Sequence, residues 1–321
     1  MNADLLYYDL QSFFGSLFTG YLMQVWQFIE ILQLSLSTAL IFFGVIGLCI
    51  GSFLNVLIYR TPKIMMQQWR VGSVQLLQSQ PDINPDLLDP VAQIVVQDPP
   101  LSLSRPASHC PCCNQPLRWY HNIPLLSWIA LGGKCSGCGH KIHWCYPLVE
   151  ISTALVSMLV IYRLGISAQG LFALLFVWTL IALAGIDFIS QYLPDKLTFP
   201  LMALGLAINS YSVFVAPSEA IWGMLLGYLS LWIVVKIFYI FTKKQGMGEG
   251  DFKLLAALGA WLGPLLLPFI ILLSSLLGSI IGIILMRKRA KSRPFAFGPY
   301  LAIAGIVALL YGDSLMQWYL H

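Results

Sequence analysis

Long apolar runs separated by short polar stretches set the plan of this 321-residue chain. The first covers residues 34–59. After a long polar stretch, others follow at 147–162, 168–186, 197–215, 221–241 and 265–286, with shorter ones at 251–262 and 298–311. About 20 apolar residues in a helix cross roughly 30 Å of hydrocarbon. The runs are continuous rather than alternating, which predicts helices and not a membrane barrel. The expected fold is an all-α polytopic membrane protein of about eight transmembrane helices with a loop domain between the first and second. The two short runs predict a bundle into which water reaches partway.

Composition agrees. The chain is 58% hydrophobic and 10% charged, with a mean hydropathy of +0.77, more apolar surface than a soluble domain of this length can bury. Its expected surroundings are a lipid bilayer, and no nucleic-acid partner is expected. Residues 1–33 hold Asp4, Asp9 and Glu30 but no Lys or Arg, which makes a poor secretory signal. Leu10 to Ile29, interrupted by Gln24 and Gln27, reads as a helix lying in the interface, full insertion being the alternative. The end of the first run, Gly51 to Arg60, carries Ser52 and Asn55, suited either to helix packing or to a site.

Residues 61–146 are rich in Pro, Gln and Asp and hold six of the seven cysteines. Cys110-Pro111-Cys112-Cys113 and Cys135-Ser136-Gly137-Cys138 contain two C-x-x-C pairs separated by 21 residues. Each pair presents two thiolates to one ion, and two pairs complete a tetrahedral shell, so Zn2+ on Cys110, Cys113, Cys135 and Cys138 is expected. Disulfides are the alternative, disfavoured where thiols stay reduced. Cys112 breaks the spacing, and His109, His121, His140 and His143 are not needed once four thiolates fill the shell.

Charge gives the orientation. With residues 1–33 outside, the inner loops receive Arg60, Lys63, Arg70, Arg105, Arg118, Lys134, Lys141, Lys196, Lys243, Lys244, Lys253, Arg287, Lys288, Arg289, Lys291 and Arg293, while Arg163 alone falls outside. The positive-inside rule then places the cysteine loop in the cytoplasm. The expected organisation is an outer segment over 1–33, the first span over 34–59 and a cytoplasmic zinc domain over 60–146. A helical core over 147–312 and an outer tail over 313–321 complete it.

This orientation brings two acids to one depth. The run from Ala168 travels inward and ends at Gly185-Ile186-Asp187, while Asp251 opens a run starting at the inner face, after Gly246-Met247-Gly248-Glu249-Gly250. An acid at the mouth of a membrane helix marks a functional site by default, although Asp251 also suits an N-cap. Asp195, after Pro194, reads first as a cap and second as a site residue. Two carboxylates facing each other at a partly dry depth cannot both ionise easily, so they share a proton. The charged member can activate water while the neutral one polarises a carbonyl, which is the chemistry of peptide hydrolysis. A transporter's proton or cation site uses intramembrane acids as well.

Gly248-Glu249-Gly250-Asp251 resembles the G-x-G-D signature of membrane aspartyl proteases. Gly51 to Arg60, the paired cysteines, Asn122 to Trp128, Tyr146 to Glu150, Leu193 to Thr198, Gly246 to Gly263 and Phe297 to Tyr300 together resemble the bacterial prepilin peptidases, which are bifunctional leader peptidases and N-methyltransferases. The resemblance covers nearly everything from Leu34 onward. It implies that Asp187 and Asp251 are catalytic and that the four cysteines bind zinc. It also implies that the chain lies in the bacterial inner membrane with its active site facing the cytoplasm. The implied substrates are prepilins and pseudopilins, whose basic leader is removed before S-adenosylmethionine methylates the new amine. No glycine-rich fingerprint marks a methyl-donor site; Glu150, Asn55 and the cysteine-loop surface are the candidates for it. A zinc-stabilised transporter or a non-catalytic assembly subunit stands as the alternative.

Overall fold

A computed structural model describes residues 35–80, 101–244, 246–288 and 296–320, so the expectation for residues 1–33 lies outside the described residues. The described chain is helical apart from turns and two isolated β-bridges. The helices are α1 (Leu36–Gln78), α2 (Leu126–Ala130), α3 (Cys145–Leu164), α4 (Ala168–Ser190), α5 (Asp195–Asn209), α6 (Pro217–Thr242), α7 (Glu249–Leu262), α8 (Leu267–Lys288) and α9 (Gly298–Leu320). Helices α1, α3, α4, α6 and α8 are long and apolar enough to cross a membrane.

Two ends differ from the reading of the runs. Thr61-Pro62 looks like a stop, yet α1 continues through Pro62 to Gln78. Met65 and Val74 are buried along that extension, and tertiary contact outweighs the amide hydrogen bond that proline forfeits. At 43 residues, α1 is about 64 Å long, twice the hydrocarbon thickness. The last helix does not close at Tyr311 either but reaches Leu320, because Ser314-Leu315-Met316-Gln317 contains no breaker.

Small residues decide how the helices meet. Gly44, Gly47 and Gly51 line one stripe of α1 against α3; a Cβ on Gly47 would lie 2.6 Å from Ala154 Cα, and one on Gly51 2.7 Å from Glu150 Cα. Trp178 of α4 donates to Ser157 Oγ of α3 at 2.9 Å, joining a third helix to that pair. In the other half, Gly223 of α6 and Gly259 of α7 abut backbone to backbone. Such contacts replace the hydrophobic effect as the packing force in lipid.

Helix α7 is the centre of the bundle. From Phe252 to Leu262 every residue except Lys253 is buried. Trp261 sits against Phe176 of α4 (ring centroids 4.7 Å apart) and donates Nε1–H to the Leu201 carbonyl of α5 at 2.8 Å. Asn209 of α5 donates to the Ala260 and Trp261 carbonyls at 2.8 and 3.1 Å, satisfying groups that the end of α7 leaves orphaned. The shortness of α7 is thus accommodated by protein on all sides. Arg163, at the end of α3, donates twice to the Leu310 carbonyl of α9.

Candidate functional site: an aspartate pair and a four-cysteine cluster

Asp187 lies in the last turn of α4, which closes on Gln191 in the left-handed conformation. Asp251 lies in the first turn of α7. Both are buried, at 5% and 8% exposure, and they stand close enough for the charge of one to act on the other. The cap of α7 is Gly248, with no side-chain hydrogen bond closing that end, so Asp251 does not serve as the N-cap.

A third element completes the site. Gly298, the first residue of α9, donates its N–H to Asp187 Oδ2 at 2.9 Å. A Cβ there would lie 2.7 Å from the same oxygen, so only glycine allows the backbone to come this close. Gly250 plays a similar part: its missing side chain leaves room for Leu193, whose Cβ would otherwise be 2.8 Å away. Phe297-Gly298-Pro299-Tyr300 was visible as a motif, but nothing in the pattern said that its amide would hold an aspartate.

Asp195 corrects an expectation. The residue preceding α5 is Pro194, and no side chain caps that helix. Instead both Asp195 oxygens accept from Lys253 Nζ, at 2.8 and 2.9 Å. Asp195 therefore ties the start of α5 to α7 one half-turn beyond Asp251. It is a brace beside the pair and not a helix cap.

The four cysteines converge. Their sulfurs lie within 4.8 Å of one another, with Cys110 and Cys138 Sγ 3.8 Å apart and Cys113 and Cys135 Sγ 4.0 Å apart. Zinc–sulfur bonds of about 2.3 Å in a tetrahedron put sulfurs about 3.8 Å from each other, whereas a disulfide needs about 2 Å. The spacing fits an S₄ metal shell. Cys112, inside the first knuckle, is exposed and stands outside the cluster.

The two knuckles are copies of one turn. Cys110 N–H donates to the Gln115 carbonyl and Asn114 N–H to the Cys110 carbonyl; Cys135 N–H donates to His140 and Gly139 N–H to Cys135. Asn114 and Gly139, at matching positions, both have positive φ, 54° and 69°. The bridges His109 to Pro116 and Lys134 to Lys141 close the two turns alike. The thiols titrate unequally. Cys110 is brought down to about 6 by the backbone N–H groups of Cys113 and Cys112. Cys138 accepts the N–H of His140, which lowers it, yet desolvation and the neighbouring thiols push it up to about 12. Four thiols this close cannot all ionise unaided, and a divalent cation is what lets them.

The chain matches two families, "Bacterial Peptidase A24 N-terminal domain" over residues 45–164 and "Type IV leader peptidase family" over residues 174–283. A curated protein of Aeromonas hydrophila named "Prepilin leader peptidase/N-methyltransferase" is 46% identical over 85% of this chain and 91% of its own. Proteins of the same name from Pseudomonas aeruginosa (45% identical, 86% and 91% covered) and Dichelobacter nodosus (41%, 90% and 96%) match comparably. The chain belongs to the type IV leader peptidase family. It is a multi-pass bacterial membrane protein. No solved structure matches it. Within this leader peptidase the two matched segments divide the features just described. All four clustered cysteines fall in the N-terminal segment, and Asp187 and Asp251 fall in the second.

Proposed function

We propose that this chain removes the leader from prepilins and pseudopilins with Asp187 and Asp251 as its catalytic pair, and then N-methylates the new terminus. The observation that carries the catalytic assignment is the convergence of α4, α7 and α9 on two buried carboxyls, one fixed by the Gly298 amide. The names of the relatives favour this reading over a transporter or a non-catalytic subunit.

The chemistry follows from one shared proton. The ionised carboxyl takes a proton from water while the other donates to the scissile carbonyl oxygen. The resulting tetrahedral species collapses as the leaving amine regains a proton, and the pair returns to its starting state. The pair belongs at the cytoplasmic face, since Lys and Arg crowd the loops at that end. A leader bearing Lys or Arg stays in the cytoplasm there while the apolar segment after it enters the bilayer, which puts the bond between them beside the carboxyls. Cys110, Cys113, Cys135 and Cys138 would hold zinc, which fastens the two knuckles into one folded unit. S-adenosylmethionine is the methyl donor of the second step. The organisation proposed is a first span over 34–59, a cytoplasmic zinc domain over 60–146 and a membrane core over 147–312.

The test is direct. Purified protein incubated with a full-length prepilin and S-adenosylmethionine yields a product lighter by the leader, then heavier by one methyl group, in the mass spectrum. A prepilin of unchanged mass would overturn the reading.

A further inference from the structure

A second buried acid lies in the half of the molecule that the aspartate pair does not use. Glu150 of α3 is 8% exposed. Its Oε2 accepts the N–H of Leu125 at 2.7 Å, and the Ser52 and Asn55 side chains on α1 are near enough to act on it electrostatically. Asn55 also donates Nδ2–H to the Tyr146 carbonyl at 3.0 Å. Leu125 holds positive φ, 58° with ψ −47°, a costly conformation for a side-chain-bearing residue and one characteristic of sites. Three residues further, Trp128 Nε1 is the only buried side-chain nitrogen or oxygen without a partner among the described residues.

All the protein donors to Glu150 are neutral. Among the described residues no Lys, Arg or His pairs with it. Buried charges are ordinarily paired, so a cationic ligand is the partner that would let this carboxyl carry its charge. The proposed cleavage creates one nearby: a fresh N-terminal ammonium.

The two centres are neighbours. Ile58 of α1 abuts Gly185 of α4, where a Cβ would meet its side chain at 2.5 Å. Asn55 is one turn from Ile58 along α1, about 5 Å, and Asp187 is about 3 Å beyond Gly185 along α4. Leu54, Ile58, Ala182 and Ile186 form a small apolar cluster between them. Glu150, Ser52, Asn55 and Leu125 all lie in the segment matched as the N-terminal domain, outside the one matched as the leader peptidase.

We propose that Glu150, held by the Leu125 amide and flanked by Ser52 and Asn55, receives the newly freed N-terminal ammonium and is the base of the methyl transfer. This rests on the function proposed above. Glu150 takes one proton from the ammonium and exposes the nitrogen lone pair. The lone pair attacks the methyl carbon of a sulfonium donor; the N–C bond forms as the C–S bond breaks, and sulfur keeps the bonding pair as a neutral thioether. The product is a methylammonium, and Glu150 returns its proton to solvent.

Glu150→Gln tests this, because its amide oxygen still accepts from Leu125 and the fold is kept. Cleavage and methylation of one prepilin are read separately by mass, alongside thermal unfolding of the purified protein. The expected result is a methylation rate lowered about 100-fold or more, as loss of a positioned base requires, with cleavage within a few-fold and unfolding unchanged. Glu150→Asp regains part of the methylation, with a shifted pH profile. Methylation by Glu150→Gln at the parent rate, or cleavage falling as far as methylation, would overturn the proposal. A parent protein that fails to cleave would instead sink the function on which it rests.

Discussion

The cysteine cluster and the aspartate pair are built by opposite means. The cysteines come from one stretch, 28 positions from Cys110 to Cys138, and each knuckle is shaped by its own turn hydrogen bonds. The aspartates are 64 positions apart, and the glycine that fixes Asp187 is 111 positions from it. Nothing local positions them; glycine contacts between helices do. A site made of turns needs a ligand to hold it, while a site made of packed helices needs every neighbour in place. Damage should therefore stay local in the first and spread in the second.

The largest effects belong to the pair. Asp187→Asn and Asp251→Asn should each lower the cleavage rate about 1,000-fold, within the span of lost acid–base catalysis, while zinc content and membrane insertion stay at the parent level. Asparagine keeps the shape but cannot move the proton. A variant cutting prepilin near the parent rate would end the pairing argument. For the parent, cleavage should fall at both acid and alkaline pH, because the pair works with one proton between two carboxyls.

Gly298→Ala comes next. Its methyl group would press on Asp187 Oδ2, and a shift of about 1 Å in a reacting group costs about 100-fold. Zinc should be untouched. Unaltered cleavage in this variant would mean that α9 is only a neighbour.

Removing the metal should be milder for cleavage. Cys135→Ser with Cys138→Ser should abolish zinc binding and open the knuckles to protease, yet lower cleavage less than about tenfold, as expected where two sites share no residue. Acidification should release zinc from the parent as well. Metal binding expels thiol protons, and Cys138, pushed up to about 12, is the thiol that most needs the ion. An equal collapse of both activities and of the helical core would break the contrast between the two regions.

Asp195→Asn should matter least. The Asp195 side chain is 42% exposed, so the loss of its pair with Lys253 is screened and worth under about 1 kcal/mol. Cleavage within about threefold of the parent is expected of such a change, and a larger loss would move Asp195 into the catalytic group.

What was legible in the sequence follows the same division. The C-x-x-C pairs announced themselves because their spacing is local. Asp187 and Asp251 could be matched only through the direction of the helices that carry them, which hydropathy and positive charge supply. Gly298 could not be read, since its role depends on α9 meeting α4, and no periodicity encodes that contact. Asp195 looked like a cap because Pro194 precedes it; its partner Lys253 lies 58 positions away. The reach of α1 past Pro62 was hidden because burial of Met65 and Val74 overrides a local stop signal. Glu150 and Asn55 were legible as candidates for the methyl-donor site, but their closeness was not, since it depends on the glycine stripe that brings α1 against α3.

The brevity of α7 has a consequence for how the protein is made. At 14 residues the helix is about 21 Å long, too short to span the hydrocarbon core by itself. It also begins with Glu249, Asp251 and Lys253, a poor signal for the insertion machinery. Its place in the membrane therefore depends on packing against α6, through Gly223 and Gly259, once its neighbours are threaded. Until then Asp251 has no Asp187 to share a proton with. On the proposed mechanism the ribosome releases an inert chain, and assembly itself arms a hydrolase that would otherwise be loose in the membrane during its own synthesis.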